Sequence, residues 1–341
     1  MSQPVPRYLL IVNGKSSGEL ALHNAVYQQR KAGMDLTVRV TWEEGDATVF
    51  TRQAGQEGFT HVIAGGGDGT VNEVVNGLMG LPRDQRPVMG VVPLGSANDF
   101  ARSIGLPLAP QQALEAVCQF DPQAIDVVLI KATQSKALLV AQNEDTQGPA
   151  SQRHVSQCYV NQCYVNQYYV NMLTGGFGAE VTSSTPKRLK RLLGGGAYSI
   201  MGAVKAWRHR SYQGTLNWGA GEVEASLLLL GLGNGRQSGG GQLLAPKARL
   251  NDGYLDVLMV RDFSSMTKLP QLMEELKSFP AEGEFVSYFA TRKITVTSYP
   301  KEACWPLTLD GEARHFEAFS AEVEPLALSV AMRADSALLA P

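Results

Sequence analysis

Residues 62–73 constrain the fold more than any other stretch of this chain. Val62-Ile63-Ala64 is a short apolar run of buried-strand type, and Gly65, Gly66 and Gly67 break it. Asp68-Gly69-Thr70 then leads into Val71, Val74, Val75 and Leu78, apolar residues at helical spacing. A strand that passes through glycines into a helix can hold phosphate. Glycines let the backbone approach an anion, and the helix N-terminus offers unpaired N–H groups and partial positive charge. The same arrangement also serves as a plain tight connection. Asp68 is the odd member, because a carboxylate repels phosphate. It makes sense if it reaches a bound divalent cation or a hydroxyl, so a nucleotide–metal site is implied. No Gly-Lys-Ser/Thr follows, and the spacing is not that of the dinucleotide fingerprint.

The surrounding pattern places this turn. Strand-like runs at Tyr8–Val12, Asp35–Val40, Val62–Ala64 and Val88–Val92 alternate with helical segments at Gly18–Ala32 and Asp46–Gly55. Alternating β and α elements predict a parallel sheet with helices on both faces, its ligands at the strand C-terminal ends. After about residue 126 the pattern changes. Runs at Ile125–Ile130, Val223–Leu232, Tyr254–Val260, Lys293–Thr297, Leu307–Leu309 and Phe319–Val323 predict a β-rich second domain, a sandwich, with helices at Pro186–Arg210 and Ser265–Phe279. Gln157-Cys158-Tyr159-Val160-Asn161 is nearly repeated at 162–166 and again at 167–171. A five-residue repeat flips strand faces at each copy. The earlier copies therefore read as a duplication inside an insertion at about 132–166, between a first domain at 1–130 and a second at 131–324.

Composition bounds the function. A chain of 341 residues exceeds one typical core. Its formal net charge of −2 gives no global basic field, so nucleic acid is not an expected partner. Cys118, Cys158, Cys163 and Cys304 lack zinc-ligand spacing and suit a reduced interior. Met1–Arg7 carries no secretory pattern, and no apolar run reaches the ~20 residues of a membrane span. A cytoplasmic protein is expected.

A second block reads Val91-Val92-Pro93-Leu94-Gly95-Ser96-Ala97-Asn98-Asp99-Phe100-Ala101-Arg102. Ser96 is placed to cap a helix or to donate to a phosphate. A third block runs from Gly233 to Leu255. It opens with Gly233-Asn234-Gly235-Arg236 and includes Ala248-Arg249-Leu250-Asn251-Asp252-Gly253-Tyr254, and Leu309-Asp310-Gly311-Glu312 follows later. Gly66-Gly67-Asp68-Gly69-Thr70 resembles the signature shared by diacylglycerol, sphingosine and NAD kinases and, more distantly, phosphofructokinases. The second block resembles the motif of the diacylglycerol kinase catalytic family, which NAD kinases lack. With the third block, the chain resembles the YegS-type bacterial lipid kinases over nearly its whole length, and poorly between 131 and 165.

The resemblance implies a phosphofructokinase- or NAD-kinase-like α/β domain, a β-sandwich domain and a cleft between them, with the tail 325–341 returning to the first domain. It implies transfer of the γ-phosphate of ATP to a hydroxyl of a membrane lipid such as diacylglycerol or phosphatidylglycerol, with transient contact at the membrane surface. Thr41, Gly66, Gly67, Asp68, Gly69, Thr70, Val71, Asn72, Glu73 and Ser96 are set against the nucleotide. Capping accounts equally well for Glu73 and in part for Asn72. Glu312 is implied as general base, which requires a concerted transfer or a raised pKa. A catalytic Mg²⁺ is expected near Asp68. A second ion, Mg²⁺ or Ca²⁺, is implied on the Asp252 carboxylate and backbone carbonyls near Arg249 and Tyr254. Lys187, Arg188, Lys190 and Arg191 read as a membrane contact or a solvated helix face. Arg236 could meet a lipid head group or simply occupy a turn. The rival readings are an NAD kinase and a nucleotide-binding regulator without catalysis.

Overall fold

The computed structural model describes residues 5–135, 162–176, 211–239, 241–263, 265–299 and 304–340. The first half is built as its alternation predicts. Strands β1 (Arg7–Val12), β2 (Asp35–Val40), β3 (His61–Gly66) and β4 (Val88–Pro93) pair in parallel in the order β2-β1-β3-β4. Helices α1 (Leu20–Lys31), α2 (Asp46–Gln56), α3 (Asp68–Met79), α4 (Asp99–Ser103) and α5 (Pro110–Gln119) accompany them. The alternation of side chains along β1 explains its unbroken apolar sequence. Tyr8, Leu10 and Val12 pack with Leu22 of α1 and Leu114 of α5, while Leu9 and Ile11 pack with Ala54 of α2 and Val74 of α3.

The second half is strand-rich, as expected. It comprises β5 (Pro122–Ser135), β6 (Gln162–Tyr169), β7 (Met172–Gly176), β8 (Tyr212–Asn217), β9 (Glu222–Gly233), the short β10 (Gln237–Ser238) and β11 (Gln242–Leu243), and β12 (Leu255–Arg261). Helix α6 (Leu269–Ser278) precedes β13 (Val286–Thr291), β14 (Lys293–Ser298), β15 (Trp305–Leu309), β16 (Glu312–Phe316) and β17 (Ala318–Ala331). Leu307 and Phe316 at one end of the sheet path share a core with Val296 and Phe319 from its middle, as a sandwich requires.

One sheet runs through both halves, and β17 joins them. Its first part pairs antiparallel with β14 and β5, and Val330 then pairs parallel with Met89 of β4. The register breaks between Glu324 and Leu328, where Leu326 has φ 49°. This bulge turns the strand from one core toward the other. Leu328, Val330 and Met332 accordingly lie in the core of the α/β half.

The repeat is structured where it is described. Its second copy and the first three residues of the third form β6, paired from Gln162↔Ser135 to Tyr169↔Val128. Strand β5 extends far enough to give residues 162–166 a partner. The face flip is met by different environments: Asn166 is exposed, whereas its counterpart Asn171 is buried. The first copy, the helix expected at Pro186–Arg210 and the basic cluster at 187–191 lie outside the described residues.

Candidate active site

The glycine turn lies at the C-terminal end of β3, and α3 begins at Asp68. Its backbone meets that of the second block. A Cβ on Gly67 would stand 3.2 Å from the Gly95 Cα, so glycine lets the two motifs pack backbone to backbone.

From the other half comes the β15–β16 hairpin. Asp310 and Gly311 form its turn, with φ 47° and 92°, the positive-φ pair that favours Asp-Gly. Asp310 is buried and accepts from four groups: the N–H of Val170 at 3.0 Å, of Asn171 at 3.0 Å and of Met172 at 2.9 Å, and Asn72 Nδ2 at 3.2 Å. Its oxygens are thereby occupied, which leaves them no room for a metal ion and fixes the turn against α3. The next side chain, Glu312, is delivered to the glycine turn. Any Cβ at Gly69 would collide with Glu312 Oε1.

A cleft of about 610 Å³ opens at this junction. Among the predicted site residues, Thr41, Gly69, Thr70, Asn72, Glu73 and Glu312 line it, together with Asn13, Lys15, Trp42, Glu44 and Arg314. Thr41 Oγ1 accepts from Gly14 N at 3.3 Å, and Asn13 Nδ2 donates to Thr70 Oγ1 at 3.4 Å. Gly66, Gly67 and Val71 are not among the lining residues; Val71 is buried in the core. Ser96 is exposed and lines a neighbouring depression with Arg102, Gln237 and Gly241. Asp68 lines neither cavity; its Oδ1 accepts from Phe100 N at 3.3 Å.

Two predicted residues have structural work. Asn72 Nδ2 donates to the Tyr168 carbonyl at 3.0 Å as well as to Asp310, and Asn76 supports it with bonds to both the N–H and C=O of Tyr168. Glu73 accepts from Ala47 N at 3.1 Å and from Gly45 N, so it caps α2, whose own N-cap offers no side chain. Arg236 is also tied down, donating to the carbonyls of Ala248 and Ala337 at 2.9 and 2.7 Å.

The charges are held close together. Burial and the neighbouring Asp99 push the Asp68 carboxyl up to about 6, against the pull of the Phe100 and Asp99 N–H groups. Burial also raises Glu312, with Glu44 and Asp310 adding to it and Arg314 and Lys15 opposing. Two like charges at Asp68 and Asp99 suit a divalent cation, which would relieve their repulsion. The implied second ion fits more narrowly. Asp252 Oδ1 accepts from Tyr254 N at 3.0 Å, which leaves one carboxylate oxygen with backbone carbonyls and water. Among the described residues no group of three His, Cys, Asp or Glu is arranged for a metal, so an ion on this loop would take mainly carbonyl oxygens. Asp126, absent from the sequence reading, pins this loop: it accepts from Gly253 N and from Leu326 N, each at 2.7 Å. Nothing in its strand context marks it. Arg314 was findable, since it lies two residues from Glu312 on the same strand face.

Comparison with known proteins agrees with these motifs. Residues 7–130 match the family model of the diacylglycerol kinase catalytic domain, and residues 171–332 match the YegS C-terminal NAD kinase beta sandwich-like domain. A probable lipid kinase YegS-like of Chromohalobacter salexigens is 44% identical over 97% of this chain and 94% of its own. A probable lipid kinase YegS of Shigella flexneri is 36% identical over 98% of each. A crystal structure of a diacylglycerol kinase from Bacillus anthracis shares the fold, with TM-score 0.66 and 19% identity over 98% of this chain and all of that one. No helix among the described residues is long and apolar enough to cross a membrane. With both family models matched and such relatives along its full length, the chain belongs to the YegS-type lipid kinases of the diacylglycerol kinase catalytic family.

Proposed function

We propose that this protein transfers the γ-phosphoryl group of ATP to a hydroxyl of a membrane lipid and that Glu312 takes the hydroxyl proton. The observation that carries the reading is the meeting of Glu312, from the sandwich half, with Gly69 of the glycine turn. Burial raises the Glu312 pKa, which makes the carboxylate a better base toward an alcohol. The N–H groups at the start of α3 and the hydroxyls of Thr41 and Thr70 would hold and orient the nucleotide, with Ser96 at the neighbouring depression. A bound Mg²⁺ would neutralise phosphate charge, and Asp68 with Asp99 beside it would hold that ion. An ion at Arg249, Asp252 and Tyr254, Mg²⁺ or Ca²⁺, would be structural. The site would act at the cytoplasmic membrane surface.

The test is transfer of labelled γ-phosphate from ATP to extracted membrane lipids with Mg²⁺, beside a reaction offering NAD. Wild type is expected to label a lipid and no NADP. Glu312→Gln is expected to lose a factor of ~10²–10⁴ in kcat while binding ATP as before. Labelled NADP without labelled lipid, or full activity in Glu312→Gln, would overturn the reading.

A further inference from the structure

Glu312 and Arg314 stand two residues apart on β16, share a strand face and both line the cleft. Arg314 is half-buried, and it is braced. Its Nε donates to Gln167 Oε1 at 3.0 Å, and its Nη1 donates to the Ala313 carbonyl at 2.7 Å. Gln167 opens the third copy of the five-residue repeat. The next residue, Tyr168, is the one that Asn72 and Asn76 of α3 hold by its backbone. The guanidinium is thus fixed relative to the glycine turn through β6.

The charges of the cleft give this placement its meaning. Among the described residues, Glu43, Glu44, Glu73 and Glu312 line it, and Lys15 and Arg314 are the cations that do so. Polyphosphate entering such a cleft is repelled unless those cations meet it. Lys15 is exposed on a flexible stem, whereas Arg314 is held beside the proton acceptor. During phosphoryl transfer, negative charge spreads over the equatorial oxygens of the moving group, and a fixed guanidinium matches that array.

We propose that Arg314, braced by Gln167, contacts the phosphoryl group as it passes from the nucleotide to the acceptor hydroxyl. The proposal rests on the lipid kinase reading above. In the step, the acceptor oxygen–phosphorus bond forms and the bond from the γ-phosphorus to its bridging oxygen breaks. The bridging electron pair leaves with ADP, and the hydroxyl proton passes to the Glu312 carboxylate. Arg314 changes no bond; it pairs with the charge carried by the oxygens of the phosphoryl group in flight. The near-repeat thereby gains a function, since one copy positions a group in the site.

The experiment compares wild type, Arg314→Ala, Arg314→Lys and Gln167→Ala by calorimetry with ADP alone and with ADP plus aluminium fluoride, which mimics the phosphoryl group in flight, both with Mg²⁺. Lipid phosphorylation is followed in parallel. Arg314→Ala is expected to bind ADP as wild type does, yet to lose ~10²-fold in affinity for the fluoroaluminate complex and in kcat. Added guanidinium ion should restore part of the Arg314→Ala rate and leave the wild-type rate unchanged. Arg314→Lys should recover only partly, because a point charge lacks the planar fork. Gln167→Ala should fall between wild type and Arg314→Ala. Unchanged kcat and unchanged mimic binding in Arg314→Ala would overturn the proposal. Equal losses for ADP and the mimic would also overturn it, by making Arg314 a ground-state contact. Wild type that binds ADP and the mimic but labels no lipid would defeat the acceptor assignment, while the mimic comparison still judges Arg314.

Discussion

Buried carboxylates in this protein differ by the donors around them. Asp310 has four, and Asp126 has two backbone N–H groups, from Gly253 and Leu326. Asp256 on β12 is as buried but more poorly supplied. Burial pushes its carboxyl up to about 6, against the Tyr288 hydroxyl and the charges of Lys247 and Arg236. A folded-state pKa above the unfolded value means that the protonated form favours folding. That contribution is complete below about pH 4 and is lost as pH rises through about 6. Urea unfolding of wild type and Asp256→Asn should therefore diverge with pH. The variant should gain about 2 kcal/mol relative to wild type between about pH 4.5 and 7. Parallel pH curves would show that Asp256 is not the source. Residues such as Asp256 and Asp126 are silent in the sequence, because an isolated Asp within a strand carries no motif. Asp68 and Glu312 are legible because each follows glycine in a string few families use.

Among the elements, α3 and β6 show where pattern reading succeeds and where it stops. The apolar spacing of Val71, Val74, Val75 and Leu78 predicts the helix, and all four residues are buried. Its polar face, read from sequence as turned to phosphate, also carries a second task. Asn72 and Asn76 hold β6, a strand whose first residues read from sequence as insertion. Periodicity reports which residues face a core, but not which backbone a side-chain amide will satisfy. Asn76 makes bonds to both the N–H and C=O of Tyr168, at 2.9 Å each, and to the Asn72 carbonyl at 2.8 Å. Asn76→Ala leaves the Tyr168 N–H without that partner. It should lower unfolding stability by about 2 kcal/mol, measured in urea. A loss near zero would mean that water replaces the amide at the Tyr168 backbone.

Across the whole molecule, β17 is the shared element. It pairs with β5 and β14, crosses a bulge at Leu326 and finishes beside β4. A chain ending at Glu324 would lose Leu328, Val330, Met332 and Leu338 from the core of the α/β half and would leave an edge of β4 open. Such a truncation should elute from size exclusion as aggregate, and its melting by circular dichroism should lack a cooperative transition. A monomer with a sharp melt would show that the first half is complete without its tail. The return of the tail is legible only through family resemblance, because a strand candidate does not state which sheet it joins. The distance in sequence between the glycine motifs and β17 also governs biosynthesis. The glycine motifs emerge from the ribosome early, but the strand that closes their sheet emerges about 200 residues later, roughly 10–40 s at ordinary elongation rates. Throughout that interval the α/β half is a nascent chain that lacks the apolar side chains of Leu328, Val330 and Met332. Its maturation is therefore timed by the late synthesis of β17, and chaperone demand should peak before β17 appears.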